Sequence, residues 1–329
     1  MKPICLLTRR YPTQQLFADH PPVISDRNKQ AVYEIACPVG CRHNGDLQFS
    51  RWQALPLPNT VDITEWQTEL VSREDSFGYE PVHQHGTQEW YLNFANWDLF
   101  SDYGGPLLAQ DEHQVAEHPA LGALREALLS EGVPFNTIED DEPTPVLIRD
   151  VERRCILDTQ VNVKEGRPYG LYGIEFARAH PDAIRKAVKR INPPTKSNIL
   201  AIEAPAEGTG AYDTETVLFI LRTAYSGFSA VRHESIVNCQ AQSVSIHTGF
   251  WGCGAYGGNR VMMAALQLIA ANMAKIDQLV FHTFNESGTE DLQQATSCLR
   301  NILPSVTSMD DLITSIVNLH LVWGTSDGN

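Results

Sequence analysis

No apolar run in this chain approaches the roughly 18 residues that a membrane-spanning helix needs, so no membrane partner is expected. The opening residues, MKPICLLTRRYPTQQ, lack the long apolar segment of a secretory leader. Basic residues are few: 25 against 40 acidic ones, a formal charge of −15. That shortage argues against broad, sequence-independent nucleic-acid binding, which needs a basic field. It leaves room for a small phosphate pocket, because backbone N–H groups can build one without lysine. Internal repeats and charge blocks are also lacking. The seven cysteines, at 5, 37, 41, 155, 239, 253 and 298, are odd in number and scattered. They read as reduced thiols of a cytoplasmic protein, not as a disulfide framework. Cys37, Cys41 and His43 make a Cys-x3-Cys-x-His cluster. Zinc takes four ligands and no second pair lies nearby, so a turn around Pro38 and Gly40 is the preferred reading.

What is present is globular: 329 residues, 43 % apolar and 20 % charged. Residues 1–60 are rich in proline and polar groups, and read as an irregular accessory extension on a core of residues 61–329. Within the core, Val61–Val71 reads as a short helix and His113–Ser130 as a helix broken at Pro119. Arg153–Val163 and Gly170–Phe176 read as strands and Asp182–Arg190 as a helix. NILAIE at 198–203 is a buried strand, and Asp213 caps a helix running to about Tyr225. SVSIH at 243–247 is a strand, Asn259–Ala274 a buried helix, QLVFHTF at 278–284 the next strand and Asp291–Leu303 the last long helix. Strands alternating with helices predict an α/β fold with a sheet covered on both faces.

Three constellations carry possible chemistry. The first is TGFWGCGAYGG at 248–258, between a strand and a helix start. Five glycines in eleven residues let backbone approach a ligand, and the helix N-terminus adds donors and a positive dipole end. A tight strand-to-helix turn is the alternative. Gly252-x-Gly254-x-x-Gly257 also matches the dinucleotide fingerprint, which would make a nicotinamide oxidoreductase. That fingerprint normally opens a sheet and needs an acid about 20 residues on; here the nearest acid after the next strand is Glu286. The second is Gln110-Asp111-Glu112 at a loop-to-helix junction. Adjacent carboxylates suit sugar chemistry, one holding a ribose hydroxyl while the other acts as general acid and then base. Acids on an ordinary helix start are the alternative. The third is histidine pairs. His113 and His118 lie about 140° apart on a helix, the wrong spacing for one metal, and His83 and His85 have no third ligand in view.

Taken together, the ordered segments NFAN at 93–96, QDE at 110–112, LAIEA at 200–204, RTAYSGF at 222–228, TGFWGCGAYGGN at 248–259 and VFHTF at 280–284 resemble the catalytic core of the poly(ADP-ribose) glycohydrolases. The resemblance spans residues 90–285 and implies a macrodomain-like mixed sheet between helices. It implies a hydrolase cleaving the ribose C1″ glycosidic bond of ADP-ribose carried by a protein, a nucleic acid or another ADP-ribose. Glu112 then matches the catalytic acid/base and Asp111 the carboxylate that holds a ribose hydroxyl. Asn96 matches a contact to the scissile ribose, and Gly252, Gly254, Ala255, Tyr256 and Gly257 the diphosphate loop. Phe284 matches an aromatic against adenine, and Gln110 supports the adenine side. In this register the family's glycine triplet falls on Phe100, Ser101 and Asp102, with Gly104-Gly105 close by. No cofactor and no metal is implied, and a monomer is expected. A non-catalytic ADP-ribose reader is the alternative function.

Overall fold

The computed structural model describes residues 2–60, 66–79, 86–206 and 208–328. Eight strands form one mixed sheet: β1 (Cys5–Pro12), β2 (Asp46–Trp52), β3 (Glu69–Arg73), β4 (Thr87–Ala95), β7 (Val146–Leu157), β8 (Val188–Glu203), β9 (Ser243–Thr248) and β10 (Gln278–His282). β5 (Ile138–Glu139) and β6 (Glu142–Pro143) pair in a separate small hairpin. The order is β1-β2-β7-β8-β4-β9-β10-β3. From β8 to β3 neighbours run parallel; β1, β2 and β7 pair antiparallel at the other end.

Among the described residues there are ten α-helices: α1 (Thr13–Asp19), α2 (Arg27–Ala36), α3 (Gln110–Glu117), α4 (Ala120–Glu131), α5 (Ile174–Arg178), α6 (Pro181–Ala187), α7 (Thr214–His233), α8 (Arg260–Met273), α9 (Glu286–Ile302) and α10 (Met309–Val317). Strand alternation sorts them to two faces. Trp90 and Leu92 of β4 point to one core, with Leu200, Ile246 and Phe281 and the inner faces of α7, α8 and α9. Tyr91 and Ala95 point to the other, with Ile148, Ile199 and the α4 residues Leu121, Leu124 and Leu128. Among the described residues no helix is long and apolar enough to cross a membrane. All seven cysteines are free thiols.

The macrodomain-like mixed sheet between helices is observed, but three local expectations are corrected. Residues 1–60 are not irregular: β1 and β2 extend the main sheet, and Leu47 and Phe49 are buried in its core. The prolines at 21–22, 56 and 58 lie between elements, so they punctuate rather than prevent them. The expected Val61–Val71 helix lies partly outside the described residues, and Glu69–Arg73 is an edge strand paired with β10. Gly170–Phe176 is a loop entering α5, because Gly170 and Gly173 take φ of +74° and +60°. The break at Pro119 and the Asp213 cap are both present, and the helix expected from Asn259 begins at Arg260 with Asn259 as its cap.

His118, at the C-terminal end of α3, is buried between the Gln114 carbonyl at 2.8 Å and the Ser197 hydroxyl at 2.9 Å. Burial lowers its pKa from the ordinary 6.5 to about 4. The unfolded chain therefore takes up a proton that the fold refuses. The stability His118 contributes is present above pH 6.5 and is lost as pH falls towards 4. At pH 5 the loss is of order 2 kcal/mol for this one group. His118→Gln, which cannot titrate, is expected to lose less melting temperature between pH 7 and pH 5 than the parent does. Parallel melts at the two pH values check this; equal decrements would refute it.

Candidate active site

β4 pairs with β9 over Thr87–Tyr91 and with β8 over Tyr91–Ala95. Past Tyr91 the β9 side of β4 is vacated. The chain leaves β4 for α3 on one face and β9 for α8 on the other, so a crevice opens at the carboxyl ends of parallel strands, the usual ligand position in such sheets. The Gln110 side chain fills the vacated ladder: its Nε2 donates to Leu92 O at 3.0 Å, and its Oε1 accepts from Phe94 N at 2.8 Å. Both ends of this amide are used, so Gln110 anchors α3 to β4.

That anchor sets the two carboxylates. Buried Asn93 of β4 donates from Nδ2 to Asp111 Oδ1 at 3.0 Å and to Gln114 Oε1 at 2.8 Å. Glu112 folds back over the start of α3 and accepts from Ala109 N at 2.8 Å. Asp111 and Glu112 are only 8 % and 6 % exposed. Burial raises both pKa values; Glu112's charge adds to the rise at Asp111, while Lys29 and backbone donors hold Glu112 down. Lys29 of α2 donates to Asp102 O at 3.1 Å, and burial lowers its pKa to about 8 against the pull of Glu112 and Asp111. Sequence reading missed this cation because it stands in the segment taken as irregular.

The glycine loop forms the facing wall. Gly252 has φ +74°, and a Cβ there would lie 2.5 Å from Ala204 Cβ at the end of β8. Gly258 N donates to Gly252 O at 2.8 Å and closes the loop. Asn259 caps α8 by accepting from Met262 N at 3.1 Å. Tyr256 joins the two walls: its hydroxyl accepts from Asn96 Nδ2 at 3.2 Å and donates to Glu203 Oε1 at 3.3 Å. Burial raises the Glu203 pKa to about 7. Glu203 is a third acid that the sequence reading passed over, although it lies within the LAIEA segment. Phe284, just past β10, is half exposed at φ +66°, a strained conformation for a bulky residue.

A cavity of about 1030 Å³ unites these groups, at the upper end of the range for small-molecule sites. Asn96, Gln110, Asp111, Glu112, Gly252, Gly254, Ala255, Tyr256 and Phe284 all line it. Gly257 does not. It lies beneath the C-terminal tail, where a Cβ would meet Ser326 N at 2.9 Å. The tail is itself a wall: Thr325 and Asp327 line the cavity, and Asp327 N donates to Gly254 O at 3.4 Å. Phe100, where the resemblance places a glycine, takes φ +60° and so keeps a glycine-like backbone. Gly104 serves the N-terminal segment: its carbonyl accepts from Ser25 N and Asp26 N, both at 3.0 Å, and a Cβ would strike Val23 O. His113 contacts Glu117 at 3.2 Å, and His83 and His85 lie outside the described residues.

No curated protein matches the chain. Among solved structures, it is similar to the poly(ADP-ribose) glycohydrolase of Thermomonospora curvata bound to the inhibitor ADP-HPD, with 14 % identity, TM-score 0.46, and coverage of 88 % of this chain and 84 % of that one. It is also similar to the Deinococcus radiodurans poly(ADP-ribose) glycohydrolase in complex with ADP-ribose, with 13 % identity, TM-score 0.44, and coverage of 91 % and 95 %. Likenesses this distant say nothing of function. Residues 161–291 match the family described as poly(ADP-ribose) glycohydrolase, macro domain fold; the matched segment holds the glycine loop, Glu203 and Phe284, whereas Asn96, Asp111 and Glu112 precede it. Over residues 161–291, therefore, this chain is similar to the poly(ADP-ribose) glycohydrolase family.

Proposed function

We propose that the protein hydrolyses the ribose C1″ glycosidic bond of an ADP-ribosyl group by carboxylate general acid/base catalysis. The observation that carries this reading is the meeting of two adjacent buried carboxylates and a glycine loop on one cavity. The loop and the start of α8 receive the diphosphate through backbone donors. Asp111, fixed by Asn93, holds a ribose hydroxyl. Asn96 and Tyr256, already paired, orient the distal ribose, and Phe284 offers its exposed ring to the adenine.

Two raised carboxyl groups side by side hold a proton near neutrality. Glu112 gives that proton to the leaving oxygen as the C1″ bond breaks through an oxocarbenium-like state. It then takes a proton from the attacking water. Lys29 supports the ionised stage of that cycle, because a buried cation beside the pair offsets the charge Glu112 acquires. This chain's −15 charge makes a single ADP-ribose a more natural ligand than a long polyanion.

The test is calorimetric titration with ADP-ribose, followed by an assay of ADP-ribose release from ADP-ribosylated protein, ADP-ribosylated nucleic acid and polymer. Binding with release is the expected result. Binding without release from any of the three would make the protein a reader, and no binding would remove the nucleotide site.

A further inference from the structure

The Cys-x3-Cys-x-His segment forms the turn around Pro38 and Gly40 that its sequence suggests, and the turn gathers three side chains. Cys37 ends α2, with its N–H on Tyr33 O at 2.7 Å, and Cys41 N closes a turn on Pro38 O at 2.9 Å. That turn, with Gly40 at φ +80°, folds the chain back so that ligand atoms of Cys37, Cys41 and His43 all lie within 4.8 Å of one another. Cys41 Sγ is 3.6 Å from His43 Nε2. Metal–sulfur and metal–nitrogen bonds of about 2.3 and 2.0 Å at a tetrahedral angle place sulfur and nitrogen about 3.5 Å apart, so this edge is already close to the length zinc requires.

The imidazole is also held as a ligand is held. Its ring stacks on Phe17 at 3.6 Å and 15°. Its buried Nδ1, which has no hydrogen bond within normal reach, faces Glu152 Oε2 at 3.6 Å. Glu152 is itself fixed by Arg154 at 2.7 Å and by Asn44 N at 3.1 Å. A carboxylate behind the distal nitrogen is the usual outer partner of a metal-bound histidine. It places the proton on Nδ1 and leaves the Nε2 lone pair facing the two sulfurs.

We infer that Cys37, Cys41 and His43 bind one zinc ion, with Glu152 as the outer partner of His43 and water in the fourth position. Two thiolates neutralise the dication, and their protons leave to solvent on binding. None of these residues lines the ADP-ribose cavity. The ion braces the C-terminal end of α2, whose N-terminal half carries Lys29 to the carboxylates.

The experiment measures metal content of protein purified without chelator, then titrates reduced, metal-free protein anaerobically with Co²⁺. One equivalent of zinc and a saturable sulfur-to-cobalt charge-transfer band are expected. Cys37→Ser and Cys41→Ser should each abolish the band, Cys298→Ser should leave it, and Glu152→Gln should weaken Co²⁺ binding at least ~10-fold. Should a cysteine variant fail to fold, His43→Ala and peptide mapping of metal-protected thiols in the parent give the same decision. The proposal is overturned if the parent shows no band, if the band survives loss of both cysteines, or if the parent holds a Cys37–Cys41 disulfide and no metal.

Discussion

Glu112→Gln should bind ADP-ribose at close to the parental affinity and lose turnover by 10²-fold or more, the range expected for a missing general acid. The amide is isosteric with the carboxylate. Its oxygen still accepts from Ala109 N, so the start of α3 keeps its geometry. What it lacks is a proton to give. The variant should also melt higher than the parent at pH 8. A carboxyl whose pKa is raised by folding costs stability once both states are ionised, and that cost fades as pH falls through the raised pKa. Release assays, titration and melts on the same preparation check all three outcomes. Parental turnover on every substrate that the parent cleaves would remove Glu112 from the mechanism.

The second large effect lies on the glycine loop. Gly254 has ordinary backbone geometry, and the nearest atom to a Cβ there is Asp327 Oδ2, a side-chain tip, at 3.1 Å. Gly254→Val should therefore fold normally and project two methyl groups where the diphosphate must approach. ADP-ribose affinity should fall at least ~10-fold, about 1.4 kcal/mol. Gly257→Val is a different experiment: its φ of +66° and its 2.9 Å approach to Ser326 N load strain onto the loop and tail, so melting temperature should fall together with affinity. Asp327→Asn should shift affinity the opposite way to Gly254→Val, because a carboxylate beside Gly254 repels a diphosphate. Calorimetry beside a thermal melt of each variant separates these cases. A folded Gly254→Val protein with unchanged affinity would return the loop to a structural turn.

Much of the site is legible in one dimension because its parts are local. A glycine-rich strand-to-helix loop and two acids at a helix start are short-range features, and short-range features survive translation into letters. The long helices and central strands are legible for the same reason: the period of the apolar residues and the cap at Asp213 are written along the chain. The N-terminal strands are not, because β1 is an exposed edge strand and β2 offers only Leu47 and Phe49 as a short alternating signal.

Sequence alone determined the α/β layering and pointed to a glycine-rich loop and an adjacent acid pair at a helix start, since each rests on residues within one turn or one loop of each other. Only the tertiary structure decided what those residues experience. Lys29 reaches the acids from 82 positions before Asp111, Gln110 spends its amide on a strand edge, and Asp327 returns from the chain's end to face Gly254. His43 meets Glu152 across 109 positions. Charge, burial and ligand geometry are set by distance in space, and distance in space between remote segments is fixed by packing, not by spacing along the chain.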